Sequence, residues 1–296
     1  MWAQEYRDTT LPMVQAGLLG PTFDYAEQQG ENSELLRLKA RLPDEVLRRP
    51  ADFVPVQGWF RLLTDLGGAI GRPDVGWQIA CANPFKGYSR ELLEGIFGAP
   101  TLLQALRFVA SHQARHCNCQ KFQVRVIGNF GYVFHCDDWR IPGYEQRSGF
   151  RAASTLLTIR AFLGDRWRPD LIVTDTPLEV FPDCEMLEGT EFVRSDNHAA
   201  IRVPRALLAA RPQLRYRGIY AGGDGLEESD TANQIRYLLT GYKLAEMPTL
   251  AELAEMMRTS ERTLQRRLKA LDTSYVRLVQ EVVEDSNFNR DIRPVV

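Results

Sequence analysis

Between Arg258 and Arg277 the chain carries six cations, Arg258, Arg262, Arg266, Arg267, Lys269 and Arg277, against the two anions Glu261 and Asp272. The whole protein has a net charge of −2. So local an excess suits a short run of phosphate contacts, not a molecule coated in positive charge. Arginine can pair bidentately with the guanine edge and glutamine with the adenine edge. Arg262, Gln265 and Arg266 are therefore candidates to reach bases, with Ser260, Arg267 and Lys269 placed to hold phosphates and Thr263 beside them. A basic amphipathic stretch is more often an ordinary solvated face, so the surrounding elements must decide between the two.

Other chemistry-capable groups are weaker. His112, His116, Cys117 and Cys119, followed by His135 and Cys136, are the densest set of metal-capable side chains, but no CxxC pair is present and Cys117-Asn118-Cys119 is a tight spacing for two thiols on one ion. Neither a metal nor any other cofactor is expected. Asp137-Asp138 and Asp183 with Glu185 lack a convergent nucleophile and base, so no enzyme is expected. Trp59, Trp77, Tyr132, Phe134 and Trp139 could wall a small-molecule pocket. Arg125 and His135, read as lying on the less apolar face of a hairpin, could meet an anionic ligand there together with Tyr132.

The elements that must position the basic residues are legible. Thr249 precedes Leu250-Ala251-Glu252 with capping-box spacing, and Leu250, Leu253, Ala254 and Met257 form an apolar stripe. Ser260 then caps a second helix whose inner stripe is Leu264, Leu268 and Leu271. Two short helices joined by a tight turn, the second one basic on its outer side, make a helix-turn-helix.

Upstream, helical spacing predicts helices over 31–41, 58–70 and 100–114, and a period of two from Lys121 predicts a hairpin turning at Gly128-Asn129. A long helix over 145–164, with one face against a sheet, precedes short strands at Leu171-Ile172-Val173 and at 200–203, and Pro204 opens another helix. This is an α+β arrangement. Residues 211–230 lose periodicity around Gly222-Gly223 and read as a linker, dividing the chain into a domain over 1–210 and a helical domain over 231–296. A length of 296 residues fits two domains. No apolar run is long enough for a membrane span, the first residues lack a signal-peptide pattern, and five scattered cysteines fit a reducing compartment, so a cytoplasmic protein is expected.

The run from Leu253 through Leu268, with its Leu-Ala-Glu-Met-Met, Ser260, Arg262-Thr263-Leu264 and Arg266-Arg267-Leu268, resembles the first of two helix-turn-helix units in AraC/XylS-type transcription regulators. Arg72-Pro73-Asp74-Val75-Gly76-Trp77, Arg168-Pro169-Asp170-Leu171, and Glu191-Phe192-Val193 continuing to Ala206-Leu207-Leu208 are similar to the arabinose-binding-type sensor domain of one branch of that family. The resemblance implies an α+β effector-sensing and dimerisation domain of helices on a small antiparallel sheet, followed by an all-α helix-turn-helix domain. It implies double-stranded DNA, a small-molecule effector, a second copy of the chain and RNA polymerase as partners. It also implies a second helix-turn-helix, for which too few residues follow Leu271; a connecting helix is expected over 275–283 and a polar tail after it, so the DNA-binding domain is expected to be incomplete. A rival expectation is a ligand-binding protein that has lost operator binding and antagonises intact homologues.

Overall fold

A computed structural model describes residues 12–137, 142–213 and 231–291. Strand β1 (Met13–Gln15) leads through a 3-10 turn into α1 (Gly20–Gln28) and α2 (Ser33–Lys39), and β2 (Phe53–Pro55) then pairs antiparallel with β1, Val14 opposite Val54. Helices α3 (Val56–Ile70), α4 (Val75–Ala82), α5 (Arg90–Phe97) and α6 (Leu102–His116) run into the hairpin of β3 (Gln120–Ile127) and β4 (Phe130–Asp137). Then come α7 (Tyr144–Leu163), β5 (Leu171–Thr174), β6 (Glu191–Arg194) and β7 (Ala199–Pro204). The five-stranded sheet has the order β3-β4-β7-β5-β6; its pairs are antiparallel except for β5 with β6, which is parallel. The chain is thus mixed α+β.

Helix starts follow local chemistry. Asn32, Ser89 and Thr101 accept the backbone N–H of Leu35, Leu92 and Gln104 and so begin α2, α5 and α6. Of the leucines at helical spacing in and just after α2, Leu36 and Leu42 are buried while Leu35 and Leu38 are about half exposed, and the side chain pointing inward beside Leu36 is Arg37. The expected helix after Pro204 is a 3-10 turn, Arg205–Ala209.

Helix α7 is buried on nearly all sides, not on one face. Small residues let α4 pack closely against it: a β-carbon added to Gly76 of α4 would lie 1.7 Å from the carbonyl oxygen of Gln146. No side chain fits there. The main core is built around this contact, with Phe60, Leu63, Leu156, Ile159 and Phe162 essentially inaccessible.

From residue 231 the described chain is helical: α8 (Thr231–Leu239), α9 (Leu250–Met256), α10 (Glu261–Ala270) and α11 (Tyr275–Asp291). A second core joins Ile235, Leu253, Leu264, Leu268 and Leu278 from these helices with Met13 of β1 and Phe53 of β2. Leu271, expected on the inner stripe, is 41% exposed because α10 has ended and the chain has turned left-handed at Asp272 (φ 54°). The loss of apolar period after Val283 does not stop α11, which continues to Asp291. Most of the expected linker, residues 214–230, lies outside the described residues.

Candidate functional site

A cavity of about 680 Å³, mouth included, lies between α5, α6, α7 and the β3–β4 hairpin. One part of its wall is apolar: Leu92, Ile96, Leu106, Val109 and Phe150, with Trp59 closing it and touching Phe150 edge to face at 5.4 Å. Another part is polar and comes chiefly from one stripe of α7, Arg147, Arg151, Ser154, Thr155 and Thr158, facing Gln113, Gln120 and His135.

The polar groups are ordered by hydrogen bonds that fix each other's roles. Thr155 donates to the Arg151 carbonyl (2.9 Å), so its oxygen accepts from His135 Nε2 (3.1 Å); His135 Nδ1 is then left to accept from the Gln120 amide (3.3 Å). Gln120 Oε1 accepts from Arg147 at 2.7 Å and from Gln113 at 3.4 Å. Burial, reinforced by the positive charges of Arg151 and Arg147, holds the His135 pKa well below its usual value. His135 is therefore neutral near pH 7, beside two buried arginines. Arg147 also lies over the Phe60 ring, its guanidinium carbon 5.4 Å from the centroid.

A second buried histidine ties this wall to β1. His116 donates from Nδ1 to the Gln15 side chain (3.1 Å) and accepts at Nε2 from Ser89 (3.2 Å), and burial lowers its pKa to about 4. Val14 pairs with Cys117, and Met13 and Asn118 exchange hydrogen bonds of 2.8 and 3.2 Å. The three-residue strand thus meets the cavity wall along one edge while Met13 sits in the second core.

Further contacts join the N-terminal elements to the C-terminal helices. Glu255 of α9 receives Arg61 at 2.7 Å and Arg41 at 3.2 Å; Arg37 reaches Glu246 at 3.2 Å and Lys243 reaches Asp44 at 2.8 Å. Tyr242 donates to the Arg41 carbonyl at 2.8 Å and Tyr237 to Asp52 at 3.0 Å. Most of these pairs are partly solvated and individually weak, but together with Met13 and Phe53 they set one orientation of α8 and α9.

The α9–α10 pair has the caps its sequence indicates. Thr249 and Glu252 complete a capping box, and Ser260 accepts the N–H of Thr263 (3.1 Å). Between them Arg258 takes a left-handed conformation (φ 48°), with Arg258 N–H bonded to Glu255 and Thr259 N–H to Ala254. This is a Schellman stop, and it sets the tight turn. With Leu264 and Leu268 fully buried, Arg262, Gln265, Arg266 and Lys269 are exposed and have no hydrogen-bond or ion-pair partner among the described residues. Thr263 and Arg267 are half-buried flanks of that face, and the Ser260 side chain is occupied in capping.

Of the ligand residues expected from sequence, His135 is in the cavity wall, whereas Arg125 and Tyr132 are on the other face of the hairpin. The register explains the error: Phe122 is opposite His135 and Arg125 opposite Tyr132, so odd positions of β3 share a face with even positions of β4. Arg125 is exposed, beside Phe134 and hydrogen-bonded to Gln123. The buried arginines of α7 were missed. Their signal was a cationic pair four residues apart in a helix otherwise rich in small and apolar side chains. His112 stacks on Phe108, the Cys117 and Cys119 sulfurs are 3.4 Å apart, and among the described residues no three metal-capable groups converge. Asp138, Trp139, Arg140 and Ile141 lie outside the described residues. No described helix is long and apolar enough to cross a membrane.

Residues 32–212 match the model of the arabinose-binding domain of AraC transcription regulators, N-terminal. Among solved structures the chain is similar to the crystal structure of the transcriptional regulator CdpR from Pseudomonas aeruginosa, at 16% identity and a TM-score of 0.47, covering 93% of this chain and 86% of that one. No match is found among curated proteins.

Proposed function

This chain belongs to the family of AraC transcription regulators with an arabinose-binding-type N-terminal domain, and from that premise we propose that it is a DNA-binding regulator whose cavity takes a small-molecule effector. In this reading α9 and α10 form a helix-turn-helix, with α10 entering the major groove. The observation that carries it is the face of Arg262, Gln265, Arg266 and Lys269, exposed and without a partner among the described residues while the opposite side of the same helix is locked into a core. Arg262, Gln265 and Arg266 read base edges; Lys269 and the flanking Arg267, Thr263 and Ser260 stand toward phosphates. The sensor comprises about residues 1–210 and the DNA-binding part about 231–296.

The two sites communicate through β1 and the α9 contacts. A ligand that moves the His116–Cys117 wall acts on Gln15 and Val14, and hence on Met13 in the second core, shifting how α10 is presented. The chain acts in the cytoplasm as a dimer, two copies offering two half-sites, with RNA polymerase as the downstream partner.

The test is binding of the full chain to the duplex upstream of its own gene and to a scrambled duplex at one fixed salt concentration. Preference for the natural duplex is expected, and Arg262→Ala/Arg266→Ala should remove it, each base contact supplying about 1–3 kcal/mol of discrimination. Equal weak binding to both duplexes, unchanged by the double substitution, would overturn the DNA-reading assignment.

A further inference from the structure

We propose that two copies of the chain dimerise through the outer face of the five-stranded sheet, about a two-fold axis that runs along β7. The inference rests on the reading of this regulator as a dimer and names the surface that holds it. Phe122, Val133, Ile172 and Ile201 turn toward the main core. By alternation Ile127, Phe130, Tyr132, Phe134, Val173 and Val193 turn the other way. None of these six belongs to either core, and Ile127 and Val193 are 57% and 41% exposed. An apolar sheet face left open in this way marks an interaction surface.

The charges on that face select a second copy as its occupant and fix how the copy sits. Arg125 is level with Tyr132, Tyr132 with Arg202, and Leu171 with Glu191; the pairing of Ile172 with Ile201 brings Leu171 to the level of Arg202. Arg125 on one edge strand and Glu191 on the other therefore stand in one row, a cation and an anion at opposite ends of an aromatic and apolar face. Both are exposed, and neither has an oppositely charged partner among the described residues. A two-fold rotation about an axis parallel to the strands lays β3 of one copy over β6 of the other, so that Arg125 meets Glu191 once at each edge and Phe134 meets Val173. The strands stay nearly aligned, as in a sandwich. Arg202, close to the axis, brings no repulsion, because Asp170 holds it at 3.1 and 3.0 Å and it lies over Phe130. Four strand spacings of about 4.8 Å by about six residues of 3.3 Å give a footprint of roughly 400 Å² before side-chain relief. A standard interface buries roughly 800 Å² per partner, so this dimer is weak and salt-sensitive.

Sedimentation velocity of the full chain over about 1–200 μM tests this, the range in which an interface of that size should associate. A monomer–dimer equilibrium is expected, shifting toward monomer as salt is raised. Arg125→Glu and Glu191→Arg each set like charges against one another at both edges, and each should raise the dimer dissociation constant at least about tenfold. The double variant Arg125→Glu/Glu191→Arg restores opposite charges and should return the constant to within about threefold of the parent. Both positions are on the surface, and unchanged melting temperatures check that the variants keep the fold. Single variants as dimeric as the parent, or a double variant no better than the singles, would overturn this face while leaving the dimer reading standing. A parent chain that stays monomeric over the whole range would overturn both and assign the face to a different partner.

Discussion

Two helices of this molecule carry a pair of arginines four residues apart, Arg147 and Arg151 on α7 and Arg262 and Arg266 on α10. The spacing puts each pair on one helix face, yet the first pair is buried and the second is exposed. The difference is made by what surrounds them. On α7 the neighbours Gly149, Ala152 and Ala153 allow α4 and the sheet to close over the helix, so the cations need partners inside the protein and obtain them from Gln120, Cys117, Ser148 and the Phe60 ring. On α10 the neighbours are Glu261, Gln265 and Lys269, and only Leu264 and Leu268 face inward. A buried charge must be answered within the fold; an exposed one is left available for an outside partner.

The largest effect expected from this contrast is on stability. Arg147→Ala removes the donor to Gln120 Oε1, uncovers Phe60 and opens a void in the main core, and should destabilise the fold by about 3 kcal/mol in urea unfolding at neutral pH. Arg266→Ala, on an open face, should stay within about 0.5 kcal/mol of the parent while losing duplex binding. Equal stability losses for the two would break the distinction between a structural and a presented arginine.

Acid sharpens the same contrast. The His116 pKa is held down to about 4 by burial, with Glu91 opposing and Arg115 and His112 adding to the shift; the unfolded chain takes up the proton near pH 6.5. Stability is therefore full above about pH 6.5 and falls as pH drops toward 4, by about 2 kcal/mol at pH 5. His135, lowered in the same direction, deepens the loss. All four histidines precede residue 231. Amide exchange should consequently rise in α5 and α6 before α10, and His116→Gln should flatten the dependence. Uniform acid sensitivity across both regions, or a His116→Gln profile identical to the parent, would show that the buried histidine does not set it.

The long helices and the hairpin were legible because burial on one side imposes a period: α3, α6, β3 and β4 all fall where the sequence pattern puts them. The two caps Thr249 and Ser260 were legible for the same reason, being local. What escaped was set by distant partners. β1 and β2 are three residues each and exist because they pair with each other, both of them between the two cores. Their sequences hold too few residues to show alternation. α7 was read as one-sided because its polar stripe looked like a solvent face, and only the fold shows that this stripe faces a cavity. His135 was recognised but placed on one face with Arg125, although the Gly128-Asn129 turn read from the sequence already sets Arg125 opposite Tyr132 and His135 opposite Phe122.

The smallest expected effect concerns how the exposed pair is aimed. The angle between α9 and α10 depends on Arg258, a β-carbon-bearing residue in the left-handed region where helix stops usually place glycine. No glycine or asparagine marks this end in the sequence, so the stop is imposed by Thr259 N–H reaching Ala254 and by the burial of Leu253 and Leu264 on either side of the turn. Arg258→Gly relieves the left-handed strain but loosens the unfolded chain, and the balance should be a gain of about 0.5–1 kcal/mol in urea unfolding. If the turn is fixed by packing, duplex preference survives the substitution with only the affinity lowered by one lost cation; if the preference itself falls, the strained arginine is what holds α10 at its working angle.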